Sequence, residues 1–140
     1  MADMARPEDP TTRIPADEYV TVGQIKTRFW LQGEGSTVIL IHGFAGSVEH
    51  WSPAIPRLAE HRRVFAVDLV GAGRTDKPPV PLSFSHLARF VRDFMDAQGI
   101  ESASLVGHSM GGGVALEFAI HWPERLRSSC WSTVPALTNS

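Results

Sequence analysis

Three apolar runs constrain this chain more than any other feature: residues 37–41, Thr-Val-Ile-Leu-Ile; 64–67, Val-Phe-Ala-Val; and 103–106, Ala-Ser-Leu-Val. The first is a continuous run with no alternation of polar and apolar positions. Such a run is what a strand covered on both faces requires, and that is the environment of a parallel sheet. The other two have the same character, and each of the three ends in a glycine or polar signal. Parallel strands need crossovers, and the segments between the runs are long enough to be helices. Residues 85–98 place Leu87, Phe90, Val91, Phe94 and Met95 at helical spacing, with Gly99 as the stop. Residues 109–122 form a second helix that ends before Pro123. Residues 51–60 form a third, with Ser47 or Ser52 as cap and Pro53 in its first turn, although Pro56 weakens it. Ahead of these lie two short β-rich segments, 19–23 and 25–31, joined at Gly23-Gln24 as a hairpin. The fold class predicted is therefore α/β: a mostly parallel sheet with flanking helices.

In sheets of this kind ligands bind beyond the carboxyl ends of the strands. Three motifs fall there. After the run ending at Val106 comes Gly107-His108-Ser109-Met110-Gly111, the G-x-S-x-G pattern between a strand and a helix. The spacing has a chemical reason. The serine sits on a strained, exposed turn, and glycines two residues to either side avoid clashes as the backbone reverses. The helix that starts there points amides and its positive dipole end at developing negative charge. Ser109 is thus the candidate nucleophile. His108 is a poor base for it, because the adjacent position directs its side chain away from the serine's exposed face.

The second motif, His42-Gly43-Phe44, follows the run ending at Ile41. An oxyanion hole in this architecture takes one main-chain N–H from the residue after the serine and another from this loop, which selects Met110 and Phe44. His42 is read as a histidine that organises the turn by hydrogen bonding rather than as a general base. The third motif is residues 68–78, beginning Asp68-Leu69-Val70-Gly71-Ala72-Gly73. Gly71 and Gly73 lack a third glycine and a directly following helix, so no dinucleotide site is expected, and no P-loop occurs. Asp68 is read as a carboxylate that caps its own loop. No metal and no cofactor are expected.

Composition removes several classes of partner. The net charge of −2, with 43% apolar and 20% charged residues, offers no field for nucleic acid. No apolar run approaches the roughly 20 residues that span a bilayer. Cys130 is the only cysteine, so no intramolecular disulfide forms and no oxidising compartment is implied. The polar stretch 1–17, broken by Pro7, Pro10 and Pro15, reads as a disordered lead rather than a signal peptide, and the protein as cytoplasmic.

Together, His42-Gly43-Phe44, residues 68–78 and residues 107–112 resemble the α/β-hydrolase superfamily, and the resemblance runs from about Tyr19 to Arg127. Pro123-Glu124-Arg125 also resembles that family's usual end of the helix after the serine. The forms of the two glycine motifs are similar to those of small-substrate members: carboxylesterases, lactonases, carbon-carbon bond hydrolases of ring-cleavage products and cofactor-free haloperoxidases. The resemblance implies a serine hydrolase acting on a small acyl or ester-like substrate, with Gly43, Gly107 and Gly111 supporting the motifs. Serine at 109 argues against the aspartate-nucleophile relatives, the haloalkane dehalogenases and epoxide hydrolases. Thr75 stands where the family commonly has serine.

The family order is serine, then acid, then histidine. After Ser109 the chain has no aspartate, two carboxylates, Glu117 and Glu124, and one histidine, His121. His121 lies about 18 Å along the same helix from Ser109 at ~1.5 Å per residue, far outside the roughly 3 Å that a base needs. His50, His61 and His86 are read as surface residues. The expectation is a partial hydrolase domain over 18–127 that stops before the last strands and lid, inactive alone. The competing expectation is a non-catalytic binding module or a vestigial fragment. The strand at 103–106 is expected to be left with an open edge, which would make the chain poorly soluble.

Residues 128–140 form an atypical tail, because a buried apolar strand is due there. Read from the third base of the Ser128 codon, the codons inferred for 128–136 admit Val-Leu-Leu-Val-Asp-Ser-Ala-Gly, a strand and a small-residue loop. Eleven arginines against two lysines suggest a GC-rich gene, which favours most of the third bases this needs. A frameshifted tail is therefore expected, and sequencing the gene for a downstream aspartate and histidine in the shifted frame decides it.

Overall fold

The computed structural model describes residues 14–79 and 82–132, and the side chains of these residues as far as Ser128. Residues 1–13 of the disordered lead expected over 1–17, and the end of the tail, 133–140, lie outside them. Among these residues six strands form one sheet: β1 (Glu18–Val22), β2 (Ile25–Gln32), β3 (Ser36–Ile41), β4 (Arg62–Val67), β5 (Ala103–His108) and β6 (Leu126–Ser132). Their order is β1-β2-β4-β3-β5-β6. The β1–β2 and β2–β4 pairings are antiparallel, and β4–β3, β3–β5 and β5–β6 are parallel. The three apolar runs become β3, β4 and β5, side by side, with Ile39 opposite Phe65 on one neighbour and Leu105 on the other.

Successive residues of a strand face opposite sides of the sheet. In β3, Ile39 and Ile41 join one core with Phe29, Phe65, Phe94 and Phe118, while Val38 and Leu40 join another with Trp30, Trp51 and Ile55. Both faces are therefore covered, which is why the run does not alternate. The first core is closed by α2 (Phe84–Gln98) and α3 (Met110–His121). Phe94 meets the rings of Phe29 and Phe65 at centroid distances of 5.5 and 5.9 Å. Ser83 caps α2 by accepting the His86 N–H, and Gly99 ends it at φ 70°.

Two expectations are corrected. The helix expected over 51–60 is instead a 3₁₀ turn (Val48–Trp51) and a one-turn helix, α1 (Ile55–Leu58). Pro53 and Pro56 have no N–H to donate, so the ladder of i to i−4 bonds cannot run through the segment. The open edge expected at β5 is not there, because β6 pairs along the length of β5. Residues 126–132, with Arg127 and three serines, carry no apolar run, and β6 is defined by its backbone pairing and by a 2.8 Å bond between the Ser104 and Ser128 hydroxyls. Among the described residues, no helix is long and apolar enough to cross a membrane.

Candidate active site

The turn between β5 and α3 holds Ser109 at φ 56°, ψ −115°, one of two non-glycine residues with positive φ among those described. An L-residue held there carries strain of about 1–3 kcal/mol, which packing on both sides must offset. The two flanking glycines show how. A Cβ on Gly107 would run into the carbonyl of Gly111, and one on Gly111 would run into the Ile41 carbonyl at the end of β3. The chain turns so tightly, and so close to the neighbouring strand, that only hydrogen fits at either position.

The loop after β3 lies against this turn. A Cβ placed on Gly43 would sit 3.2 Å from the Ser109 Cβ and 3.0 Å from the His108 carbonyl. His42 is fully buried, and both of its ring nitrogens are engaged: Nε2 accepts the Leu69 N–H at 3.0 Å, and Nδ1 faces the Gly43 carbonyl at 2.8 Å. A nitrogen that accepts an N–H carries no proton, so Nδ1 holds it and donates to Gly43. Burial pushes the His42 pKa down, consistent with a neutral ring. The imidazole ties the loop after β3 to the loop after β4. Just beyond it, Phe44 is 84% exposed and Ala45 has φ 60°. Among the described residues, the main-chain N–H groups of Phe44 and Met110 donate to nothing.

Behind that loop is a cluster that sequence reasoning missed. Arg28, on β2, is 2% exposed. Its Nε donates to Asp68 Oδ2 at 2.7 Å, its two terminal nitrogens grip Glu49 at 2.8 and 2.7 Å, and Nη1 also reaches Asp17 at 3.2 Å. Asp68 is fully buried and accepts the N–H groups of Val48 and Arg74, both at 2.8 Å. Asp17, placed in the lead by the sequence reading, also accepts from the Trp30 indole and from Arg74. The Thr75 hydroxyl accepts the Arg28 N–H and donates to the Asp68 carbonyl, work that a serine hydroxyl could also do.

Burial lowers the Arg28 pKa, but its bonds to Glu49 and Asp68 more than offset this and raise it overall. Those same Arg28 bonds hold Glu49 down at about 2. The loop carrying Phe44 is thus pinned on one side by His42 and on the other by Asp68 and Glu49. A lone arginine in a β-segment is a weak sequence signal. What could have found it is the pairing of that arginine with Asp68 at the end of another apolar run.

The remaining histidines divide. His50 stacks on His108, with ring centroids 4.2 Å apart and planes tilted by 32°, and meets Trp51 edge-on. The reading of His50 as a plain surface residue missed this stack beside Ser109. His121 pairs with Glu117 at 3.0 Å on the outer face of α3. Among the described residues no group of three or more His, Cys, Asp or Glu side chains is arranged to hold a metal ion.

Between the loops after β3 and β4 and helices α2 and α3 is a cavity of about 350 Å³, whose walls include His42, Phe44, Leu69, Gly71 and Met110.

Residues 36–135 match the family described as the alpha/beta hydrolase fold. A dihydrolipoyllysine-residue acetyltransferase component of the acetoin cleaving system of Cupriavidus necator is 40% identical over 128 residues, which is 91% of this chain and 33% of that protein. The 2-hydroxy-6-oxo-6-(2'-aminophenyl)hexa-2,4-dienoic acid hydrolase of Metapseudomonas resinovorans is 37% identical over 74% of this chain and 37% of its own length. Among solved structures, a bacterial membrane phospholipase A superimposes with a TM-score of 0.82 at 30% identity, covering 84% of this chain and 39% of that one. The chain thus spans about a third of the length of the relatives it matches. The family match takes in strands β3 to β6, the Ser109 turn and the loop after β3, and on it the chain belongs to the alpha/beta hydrolase fold family.

Proposed function

We propose that Ser109 is the nucleophile of an acyl-transfer reaction, and that the complete protein hydrolyses an ester, lactone, thioester or activated carbon-carbon bond of a small molecule. The observation that carries this reading is the strained turn at Ser109, set beside two main-chain N–H groups, of Phe44 and Met110, that have no partner among the described residues. In the proposed reaction the Ser109 Oγ attacks a carbonyl carbon, and the oxyanion accepts from those two amides. Each such donor contributes on the order of 10²–10³ in rate. The leaving group departs with a proton, and water releases the acyl group and restores the serine.

The residues described here supply the nucleophile and the oxyanion donors. A base and its acid partner belong to the part of the relatives that this chain does not span, and by itself this chain is expected to be nearly inert. The low charge, the single cysteine and the apolar cavity support a small-molecule substrate met in the cytoplasm. The Cupriavidus relative, named as an acetyltransferase component, favours a second reading in which a thiol or another acceptor replaces water after the same covalent step.

The test joins residues 1–127 to the C-terminal portion of the Metapseudomonas hydrolase. The folded chimera is expected to hydrolyse small activated esters and to react at Ser109 with a fluorophosphonate, and Ser109→Ala is expected to lower turnover about a millionfold. Retained turnover in that variant removes Ser109 from the mechanism. Faster release of the acyl group by an added thiol than by water selects the second reading.

A further inference from the structure

A second cavity, of about 250 Å³, lies between the β1–β2 hairpin, the loop after β4 and helix α2. None of its walls belongs to the Ser109 turn or to the loop after β3, and Val70 is the residue it shares with the cavity beside Phe44. Its floor is apolar and comes from three separate segments: Val22 and Ile25 on the hairpin, Val70 on the loop, and Phe90 on α2. Water against such a floor is released at a gain when an apolar body replaces it. Compared with the ~30 Å³ that one water molecule occupies in the liquid, the volume is enough for one ring and a short arm.

The charged groups of the lining sit together. His86, Arg89 and Asp93 follow one another at i, i+3 and i+7 on α2, which puts them on the helix stripe that also carries Phe90. Asp93 already has a partner, since Arg92 donates to its Oδ1 from Nε and Nη2 at 3.0 and 2.8 Å. Arg89 has no ion pair, side-chain hydrogen bond or ring contact among the described residues, whereas Arg28, Arg74, Arg92 and Arg125 all hold carboxylates. Its guanidinium therefore brings five uncommitted N–H donors to an apolar cavity.

We propose that this cavity is a second ligand site, and that it takes a small monocarboxylic acid with an apolar body. The body covers Val22, Val70 and Phe90, and the carboxylate accepts from Arg89 through the paired N–H groups of its fork. The apolar floor alone would suit a neutral molecule equally well, and the free guanidinium is what selects the anion. Asp93, at the same rim, repels a second negative charge and so disfavours a phosphate. The proposal is independent of the acyl-transfer reading, because none of these residues takes part in it.

The test titrates the full 140-residue chain with phenylacetate, phenylacetamide, acetate and phenyl phosphate, followed by backbone NMR shifts. Phenylacetate should shift Gly23, Gln24, Arg89 and Phe90 together, with a Kd in the millimolar range. The amide has the same shape without the charge and should bind about fivefold more weakly, the difference an exposed ion pair supplies. Acetate, which has no ring, should not saturate the site. Arg89→Gln should erase the difference between acid and amide, and Arg89→Lys should keep part of it. Because Arg89 is exposed, both variants are expected to melt like the parent. The chimera contains every residue of the site, and the same titration of it covers any failure of the short chain to fold. Shifts confined to Phe44, Leu82 and Met110, equal binding of acid and amide, tighter binding of phenyl phosphate, or a charge preference that survives Arg89→Gln overturns the proposal.

Discussion

The turn at Ser109 and the cluster around Arg28 stand on either side of the same loop and follow opposite rules. Around Arg28 every charge has a partner: one buried guanidinium meets three carboxylates, and Asp68 accepts two further N–H groups. Around Ser109 the backbone is strained, Phe44 is exposed, and two amides lack partners among the described residues. A fully satisfied polar network fixes geometry, whereas donors held open are available to a ligand. The difference shows where stability and activity can be separated in this molecule. The satisfied cluster makes the unsatisfied one affordable, because Asp68 and Glu49 hold the start of the 3₁₀ turn that follows Phe44.

The hardest test of that contrast removes the guanidinium. Arg28→Met leaves Asp68 buried and charged without its main partner, and the expected cost is about 3–5 kcal/mol in urea unfolding. Arg28→Lys restores a charge but not the fork that reaches three carboxylates at once, and should recover only part of the loss. A loss below 1 kcal/mol in Arg28→Met would show that the cluster is not what secures the loop.

The opposite sign is expected at the other region. Ser109→Gly relieves the positive-φ strain and should raise stability by about 1 kcal/mol, while removing the nucleophile. No gain would mean that the turn is not strained in the way its dihedral angles imply.

The smallest effect is a pH dependence. The Glu49 pKa lies at about 2 rather than near its ordinary 4.5, held down first by its hydrogen bonds to Arg28. A carboxylate lowered in the folded state adds stability that is fully present above pH 4.5 and is lost as the pH falls toward 2. Asp17 is lowered too, since its bonds to Trp30 and Arg28 outweigh its burial, and it acts in the same direction. Because Glu49 is half exposed, solvent screens the gain and keeps it small. Acid titration of the unfolding midpoint should therefore fall less steeply in Glu49→Gln than in the parent. Identical slopes would place the acid sensitivity elsewhere in the cluster.

Much of the fold can be read from local pattern. The β3, β4 and β5 runs, the periodicity of α2 and the Gly99 stop report their own structures, because burial on two faces or on one helical stripe dictates residue type along the chain. The Gly107-x-Ser109-x-Gly111 spacing is legible for the same reason, since close approach of backbone excludes every side chain but hydrogen. Residues 51–60 misled because the spacing of Trp51, Ile55 and Leu58 suits a helix, whereas two prolines remove the bonds a continuous one needs. The strand β6 was missed because its residues carry no apolar run and its pairing partner lies more than twenty residues away.

What the sequence determines by itself, then, is whatever a residue's neighbours along the chain enforce: covered strands, the amphipathic helix, and the serine on its glycine-flanked turn. Tertiary structure alone decides which distant groups meet. The Arg28 guanidinium reaches Asp68 across forty residues, His50 lies on His108, and Leu82 folds over Gly71. Those meetings depend on strand order. The chain places β4 between β2 and β3, which brings the end of β4, with Asp68, beside Arg28, and no local propensity encodes that order. It is set by the burial of the sheet as a whole, and the site inherits its geometry from that burial.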